Sequence, residues 1–459
     1  MVRQLHQWAG ARVRSWGPEE GDAVLYAFSA LFAGITAKFS QIDLYRTWGE
    51  LALGPYLLAA AIALVLERHR VRLAAASSQR DDASGSPGLS HHLGAARIWL
   101  FLFVLVGATL APLSLEVAWR SEGNPAAHVQ PEVVTIEQAG HRAALGQDPY
   151  HAEVKHGHIV SAVRGEPTYE SFFPYLPLMS VFGLPSSTRE PVRVTDARIF
   201  FSVATLLVVA LALGLCDGPT ERKVRALQVL TVLPTAALPL ATGGDDMPIV
   251  AFLLLGMVLA QRRQPVWSGI VLGIVSAMKF TAWPLAALAL FAARDKNGKR
   301  APLKMAIGML VVIGPVVVPF LFRNADAFVQ NVILFPLGLA GVASPAASPL
   351  PGHLIVAAFP QLHRILPLTV GVLGGLILAR HLLLHPPQTT AQATSLAGWV
   401  MLIAILFAPA TRVGYLLYPV NFFVWAYLLR DADELIAGHG ADQRSGGVSD
   451  PPGRDALVA

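Results

Sequence analysis

Apolar stretches long enough to cross a membrane recur along the whole chain, and they limit the fold more than any other feature. Uncharged runs of about 18 or more residues read as membrane-spanning helices. Backbone in lipid has no water to bond, and a helix satisfies its own N–H and C=O groups within one segment. The runs are too long and uniform for a transmembrane barrel, whose strands are short and alternate. Composition agrees: of 459 residues, 54% are hydrophobic and 14% charged, where soluble domains carry about 25% charged residues. The fold class is therefore an all-α polytopic membrane bundle. Spans are expected near 23–39, 50–66, 97–115, 198–216, 226–242, 247–261, 303–321, 366–384, 394–409 and 413–429. With the apolar segments 172–186 and 267–291, this predicts about ten to twelve passes.

Charge sets the expected orientation. The net charge is +5, but the basic residues lie between apolar runs rather than in one patch, which argues against nucleic acid as a partner. Arg3, Arg12 and Arg14 precede the first span, and Arg68, Arg70, Arg72, Arg80 and Arg97 fill the next polar loop. Both regions are expected in the cytoplasm. Residues 1–20 lack the apolar run of a cleavable signal, so the first span is expected to target the protein. Segment 267–291 is flanked on both sides by basic residues, Arg262-Arg263 and Arg294 to Arg300. A single crossing would separate these flanks, so a hairpin of two short helices turning near Lys279 and Pro284 is expected. It leaves Arg323, Arg364 and Arg412 outside. By the same reasoning 172–186 is a short or re-entrant segment. Two broken segments at membrane depth imply a cavity, here open to the outside. The tail from about 437 is Gly-, Asp- and Ser-rich and is expected to be disordered. No internal repeat is visible, which counts against a transporter built from symmetric halves. The single cysteine, Cys216, excludes an intramolecular disulfide and a cysteine-based metal site.

The polar segment 116–170 carries the most information. PEVVTIEQAGHRAAL, residues 131–145, reads as an amphipathic helix: Pro131 suits the first turn, and Glu132 there complements the helix dipole. Gly146 is a natural cap and Pro149 prevents continuation. Phe172-Phe173-Pro174-Tyr175-Leu176-Pro177 then leads back into apolar sequence.

Glu132, then Gly146-Gln147-Asp148-Pro149-Tyr150, then Phe173-Pro174-Tyr175-Leu176-Pro177 resemble the first outer loop of the actinobacterial polyprenol-phosphate-mannose-dependent alpha-mannosyltransferases, multispan enzymes of the GT-C class in glycosyltransferase family 87. Gly244-Asp245-Asp246-Met247-Pro248, Gly269 to Gly273 and Met278-Lys279-Phe280-Thr281-Ala282-Trp283-Pro284 resemble the middle segment of that family. The likeness covers roughly 95–430. Glu132 stands where the family usually has Asp, Tyr-Leu-Pro replaces Tyr-Pro-Pro, and two extra spans precede the loop-bearing one. The domains implied are 1–96 (N-terminal segment, two spans and a basic loop), 97–430 (GT-C-like core) and 431–459 (cytoplasmic tail).

The resemblance implies a glycosyltransferase at the outer face of the plasma membrane, with both termini in the cytoplasm. The donor would be a polyprenyl-phosphate sugar, mannose by analogy, and the acceptor an envelope glycolipid or glycan. It makes Glu132 the general base of an inverting transfer, with Glu116 and Glu137 as alternatives; the bland reading of Glu132 is a dipole partner. Lys279 in an apolar segment costs about 2.5–3.5 kcal/mol on insertion scales, so it either snorkels or faces the cavity, where it would bind the donor phosphate. Arg412 is either an interfacial anchor or a phosphate clamp, and Arg198 is a weaker candidate for the same role. Asp245 and Asp246 either cap the following helix or hold an acceptor sugar or a divalent cation. No organic cofactor is implied. Tyr150 and Tyr175 are expected to position the loop. His141, His151, His156 and His158 read as a solvated loop, and Gly269/Gly273 as helix packing. P-loop, dinucleotide and nucleophile-elbow motifs are absent. The competing function is a transporter or lipid flippase using the same cavity; a purely structural envelope role would leave Lys279 unexplained.

Overall fold

The computed structural model describes residues 17–78, 87–123, 128–150, 153–155, 158–160, 169–293, 300–342 and 346–430. The tail from 437, the loop basic residues Arg3, Arg12, Arg14 and Arg80, His151, His156 and Arg294 lie outside the described residues.

Helices dominate. α1 (Pro18–Phe39) and α2 (Asp43–Ser78) form a hairpin. Small residues let their backbones meet: a Cβ on Gly49 would lie 2.6 Å from the Ala33 carbonyl oxygen. α3 runs through Pro87–Val104, a π-helical turn Leu105–Leu110, and Ala111–Glu122. The π turn offers a carbonyl at Ala108, which accepts the Trp48 indole N–H at 3.0 Å. α3 outlasts the expected span end at 115 by two turns, so Glu116 sits inside the helix and is fully buried rather than on the loop that follows.

The segment after α3 carries α4 (Pro131–Ala144), where a helix over 131–145 was expected, and a small antiparallel hairpin of β1 (Glu153–Lys155) and β2 (His158–Val160). Gly146 adopts φ +69°, which glycine takes without strain. Segment 172–186 does not cross: it is extended to Leu176 and then 3-10 helical over Pro177–Ser187.

α5 (Ala197–Leu215) is followed by α6 (Thr220–Thr231) and α7 (Pro234–Thr242), bent by 43° at their junction, and by α8 (Asp246–Gln261). α9 (Pro265–Ser276) and α10 (Trp283–Ala292) are broken at 277–282. α11 (Ala301–Arg323) follows, then short helical turns to 362, α12 (Ile365–Leu384), α13 (Thr390–Phe407) and α14 (417–430).

The contacts fix direction along the bundle. Asp246 at the start of α8 meets Lys279 just beyond the end of α9, so these two run antiparallel. Gly269 packs on Met305 and Gly273 on Met309, so α9 and α11 run parallel and α10 must return between them. The break at 277–282 is thus the turn of a hairpin, as its basic flanks require. Gln261 donates to Leu429 O and Arg262 to Leu215 O at the opposite end.

This is a multi-pass membrane protein. Among the described residues, seven helices are long and apolar enough to cross a membrane, or eight if the bent pair α6–α7 is one span. α8, α9 and α10 also run from one end of the bundle to the other, but they are shorter and do not meet that length test. α8 is instead buried on nearly all sides, as a helix at the centre of a bundle can be. By contrast the most apolar stretch of α12 has no buried residue and that of α11 only 11%, so both present apolar flanks to lipid.

Two large apolar clusters build most of the core, and a small third one forms around Phe172 and Ala340. One joins α4, the 173–182 segment and α5 to α8–α10, α13 and α14. The other joins the α1–α2 hairpin to α3 and α7. At the end away from α4, buried Asp22 of α1 holds Arg97 at 2.7 Å and Arg225 at 3.0 Å.

Candidate active site

The site lies at the end of the bundle where α4, the 172–178 segment, the 277–282 turn and the stretch before α14 converge. α4 lies against the 3-10 segment through two glycines. A Cβ on Gly140 would fall 2.1 Å from the carbonyl carbon of Gly183, and one on Gly183 would fall 2.0 Å from Ile136 O. Ion pairs pin the far side of α4: Glu137 meets Arg120 at 2.6 Å, and Arg120 meets Asp196 at 2.7 Å.

Proline spacing shapes the next wall. Pro174 and Pro177 have no N–H, so the free donors around them bond outward. Leu176 N donates to Met278 O at 2.9 Å and Leu178 N to Ala277 O at 3.1 Å, binding this segment to the turn that carries Lys279. Phe173 N donates to the Asn331 side chain at 2.7 Å. The Tyr150 hydroxyl donates to Tyr175 O at 2.9 Å. Burial, reinforced by Asp148, raises the Tyr150 phenol above its ordinary value, so it stays a donor.

Between these walls is a cavity of about 250 Å³. Its polar groups are Glu132, Arg412, Lys279, Thr135 and Thr281, and aromatic rings including Tyr169, Phe172, Tyr175, Phe280, Phe335 and Tyr415 supply most of the rest. Arg412 Nη1 lies 2.7 Å from Glu132 Oε1. Burial alone would lower the Arg412 guanidinium; Glu132 and Tyr415 outweigh it and raise it. Glu132 Oε2 is buried and, among the described residues, has no hydrogen-bond partner. Lys279 Nζ bridges Asp245 at 2.7 Å and Asp246 at 2.6 Å, and lies 5.2 Å from the centre of the Tyr175 ring. Tyr418 of α14 donates to Asp246 and pairs with Thr281.

Glu132, Lys279, Arg412 and Tyr175 therefore share one cavity wall system, although up to 280 positions separate them. Asp245 and Asp246 do not cap α8 with their side chains; they hold Lys279, which occupies the space between the two carboxylates where a cation would bind. No group of three or more His, Cys, Asp or Glu is placed to hold a metal ion among the described residues. Tyr150 stands behind the wall, packed on Phe173 and Phe328.

Three candidates lie elsewhere. Arg198 is fully buried and spent on Asp196, His128 O and Ala241 O, so its place is in the support of α5 and not on the cavity. Glu137 belongs to the same buried network. Glu116 pairs with His128 at 2.9 Å and does not line the cavity. The sequence reading missed Tyr45, Gln130, Tyr169, Tyr415 and Tyr418. Tyr415 and Gln130 carried a signal, being three residues from Arg412 and two from Glu132; the others come together through tertiary packing alone.

Residues 173–409 match the family model of glycosyltransferase family 87. The chain belongs to glycosyltransferase family 87. It is a membrane glycosyltransferase, an enzyme that transfers sugar. No curated protein matches it. The family 87 match includes Tyr175, Asp245, Asp246 and Lys279 of the cavity region, while Glu132, Arg412 and the α1–α2 hairpin lie outside it.

Proposed function

We propose that this family 87 enzyme transfers a sugar, mannose by analogy, from a polyprenyl-phosphate donor to a hydroxyl of an envelope glycolipid or glycan. The observation that carries this reading is Glu132, which lines the cavity: one oxygen meets Arg412, and the other is buried and, among the described residues, without a hydrogen-bond partner. A carboxylate oxygen with no donor is ready to accept the proton of an incoming hydroxyl. The acceptor O–H gives its proton to the Glu132 carboxylate as its oxygen bonds to the anomeric carbon. The bond from that carbon to the phosphate oxygen breaks, and the phosphate leaves with the electron pair. Arg412 and Lys279 neutralise the charge that develops there, with Asp245 and Asp246 orienting Lys279. A single direct displacement inverts the anomeric centre.

The rings of Phe172, Phe280 and Phe335 suit sugar faces and the first units of a prenyl chain. The far end of the bundle carries Arg70, Arg222, Arg262, Arg263, Arg300 and Lys304, residues the positive-inside rule assigns to the cytoplasm. This supports an outer-face site in the plasma membrane with both termini inside. The test is transfer by purified protein in lipid, from radiolabelled polyprenyl-phosphate mannose to membrane-extract acceptors. Label in the acceptor fraction is expected. Flux of the intact donor across the bilayer without transfer would favour the flippase reading.

A further inference from the structure

Gln130 caps the start of the base-bearing helix α4, and it joins three parts of the molecule. Its backbone N–H donates to Thr242 O at the end of α7, at 3.0 Å. Its side-chain amide donates to the Thr242 hydroxyl at 3.0 Å and to the Tyr45 hydroxyl of α2 at 2.7 Å. Space for the amide exists because position 243 is glycine: a Cβ there would lie 2.1 Å from Gln130 Oε1. Glu132 follows Gln130 by two residues, and Asp245 follows Thr242 by three. Tyr45 also lies close enough to Arg412 and Glu132 to feel both charges.

Each contact alone is ordinary. Together they place one amide at the meeting point of the N-terminal hairpin, the helix that carries Glu132, and the turn that carries Asp245 and Asp246. Two hydroxyl partners on separate elements fix the amide in direction as well as in place. The hairpin lies outside the stretch that matches family 87, so the family match assigns it no part in transfer.

We propose that Gln130, oriented by Tyr45, is a positioning residue that sets Glu132 against Arg412 and the Asp245–Asp246–Lys279 group, making the N-terminal hairpin a working part of the transfer site. This rests on the reading of Glu132 as the base. A base displaced by about an ångström loses rate with little loss of binding, and such losses reach the order of a hundredfold. Tyr45→Phe keeps the ring and its packing and removes only the hydroxyl.

The experiment measures kcat and donor KM with radiolabelled polyprenyl-phosphate mannose for purified full-length Tyr45→Phe, Gln130→Ala, the double variant and Glu132→Gln, with the unfolding midpoint of each. The expected result is a kcat lowered by about tenfold or more in both single variants, with donor KM within about twofold. The double variant should be no slower than Gln130→Ala, because Tyr45 acts through Gln130. A kcat per folded molecule that stays at the wild-type value in Tyr45→Phe, or losses that multiply in the double variant, overturns the proposal. Glu132→Gln separates the two claims. A rate retained there overturns the base assignment, whereas a rate lost there and retained in Tyr45→Phe overturns only the junction.

Discussion

Arg412 and Lys279 are both cations at one cavity, yet their surroundings give them different work. Arg412 has a single carboxylate, Glu132, and is partly open, so an arriving phosphate can share or take its planar fork. Replacing it with Ala is expected to slow transfer by about 10²–10³-fold, the scale for losing one donor to a developing anion. Arg412→Lys should restore only part, since an ammonium cannot bond in the same two-pronged way. Lys279 is held by two carboxylates in a mostly buried setting. Lys279→Met leaves two adjacent acids facing each other and is expected to destabilise the protein by about 3–5 kcal/mol. Adding Asp245→Asn and Asp246→Asn should recover much of that loss in thermal unfolding of the lipid-embedded protein. A triple variant as unstable as Lys279→Met would show that Lys279 acts through something other than these acids.

At the scale of elements, the site depends on how closely α4 lies on the 3-10 segment. Gly183→Ala puts a methyl into the Ile136 carbonyl, and nothing flexible can yield there. Overpacking of this kind costs about 1–3 kcal/mol, and the variant is expected to lose transfer while α12, far from the contact, keeps its lipid-facing surface. Proteolysis or hydrogen exchange within 131–144 should increase; unchanged protection would place the strain elsewhere. Part of this was legible in the sequence. Pro131, Gly146 and Pro149 marked both ends of α4, and the basic flanks of 267–291 required the hairpin that the turn at 277–282 makes. Lys279 stood out because a cation in an apolar run has to snorkel or face a cavity, but its pairing with Asp245 and Asp246 was not legible. What the sequence hid were partners brought by packing: nothing near Gln130 points to Tyr45, 85 positions away. Arg198 misled for the same reason. A charged residue at the start of a span looks available, and only the fold shows Asp196 and two carbonyls consuming it. Apolar length alone does not tell a helix that faces lipid from one enclosed by its neighbours, as α8 is.

The whole molecule is polarised. One end carries the cavity and α4; the other carries Asp22 with Arg97 and Arg225, and the basic connections. With Cys216 replaced by Ala, single cysteines at Gln147 and Arg263 are expected to react with a membrane-impermeant thiol reagent from opposite faces of sealed vesicles. Gln147 should be the one reached from outside whole cells; reaction of both from one face would contradict the topology. The central claim is that Glu132 takes the acceptor proton in this cavity, and the most direct test is transfer by Glu132→Gln in lipid with bound donor measured alongside. The expected result is a rate lowered by about 10²–10⁴-fold with donor binding intact, and partial activity in Glu132→Asp, which keeps a carboxylate set back by one methylene. Transfer at the wild-type rate by Glu132→Gln would contradict it.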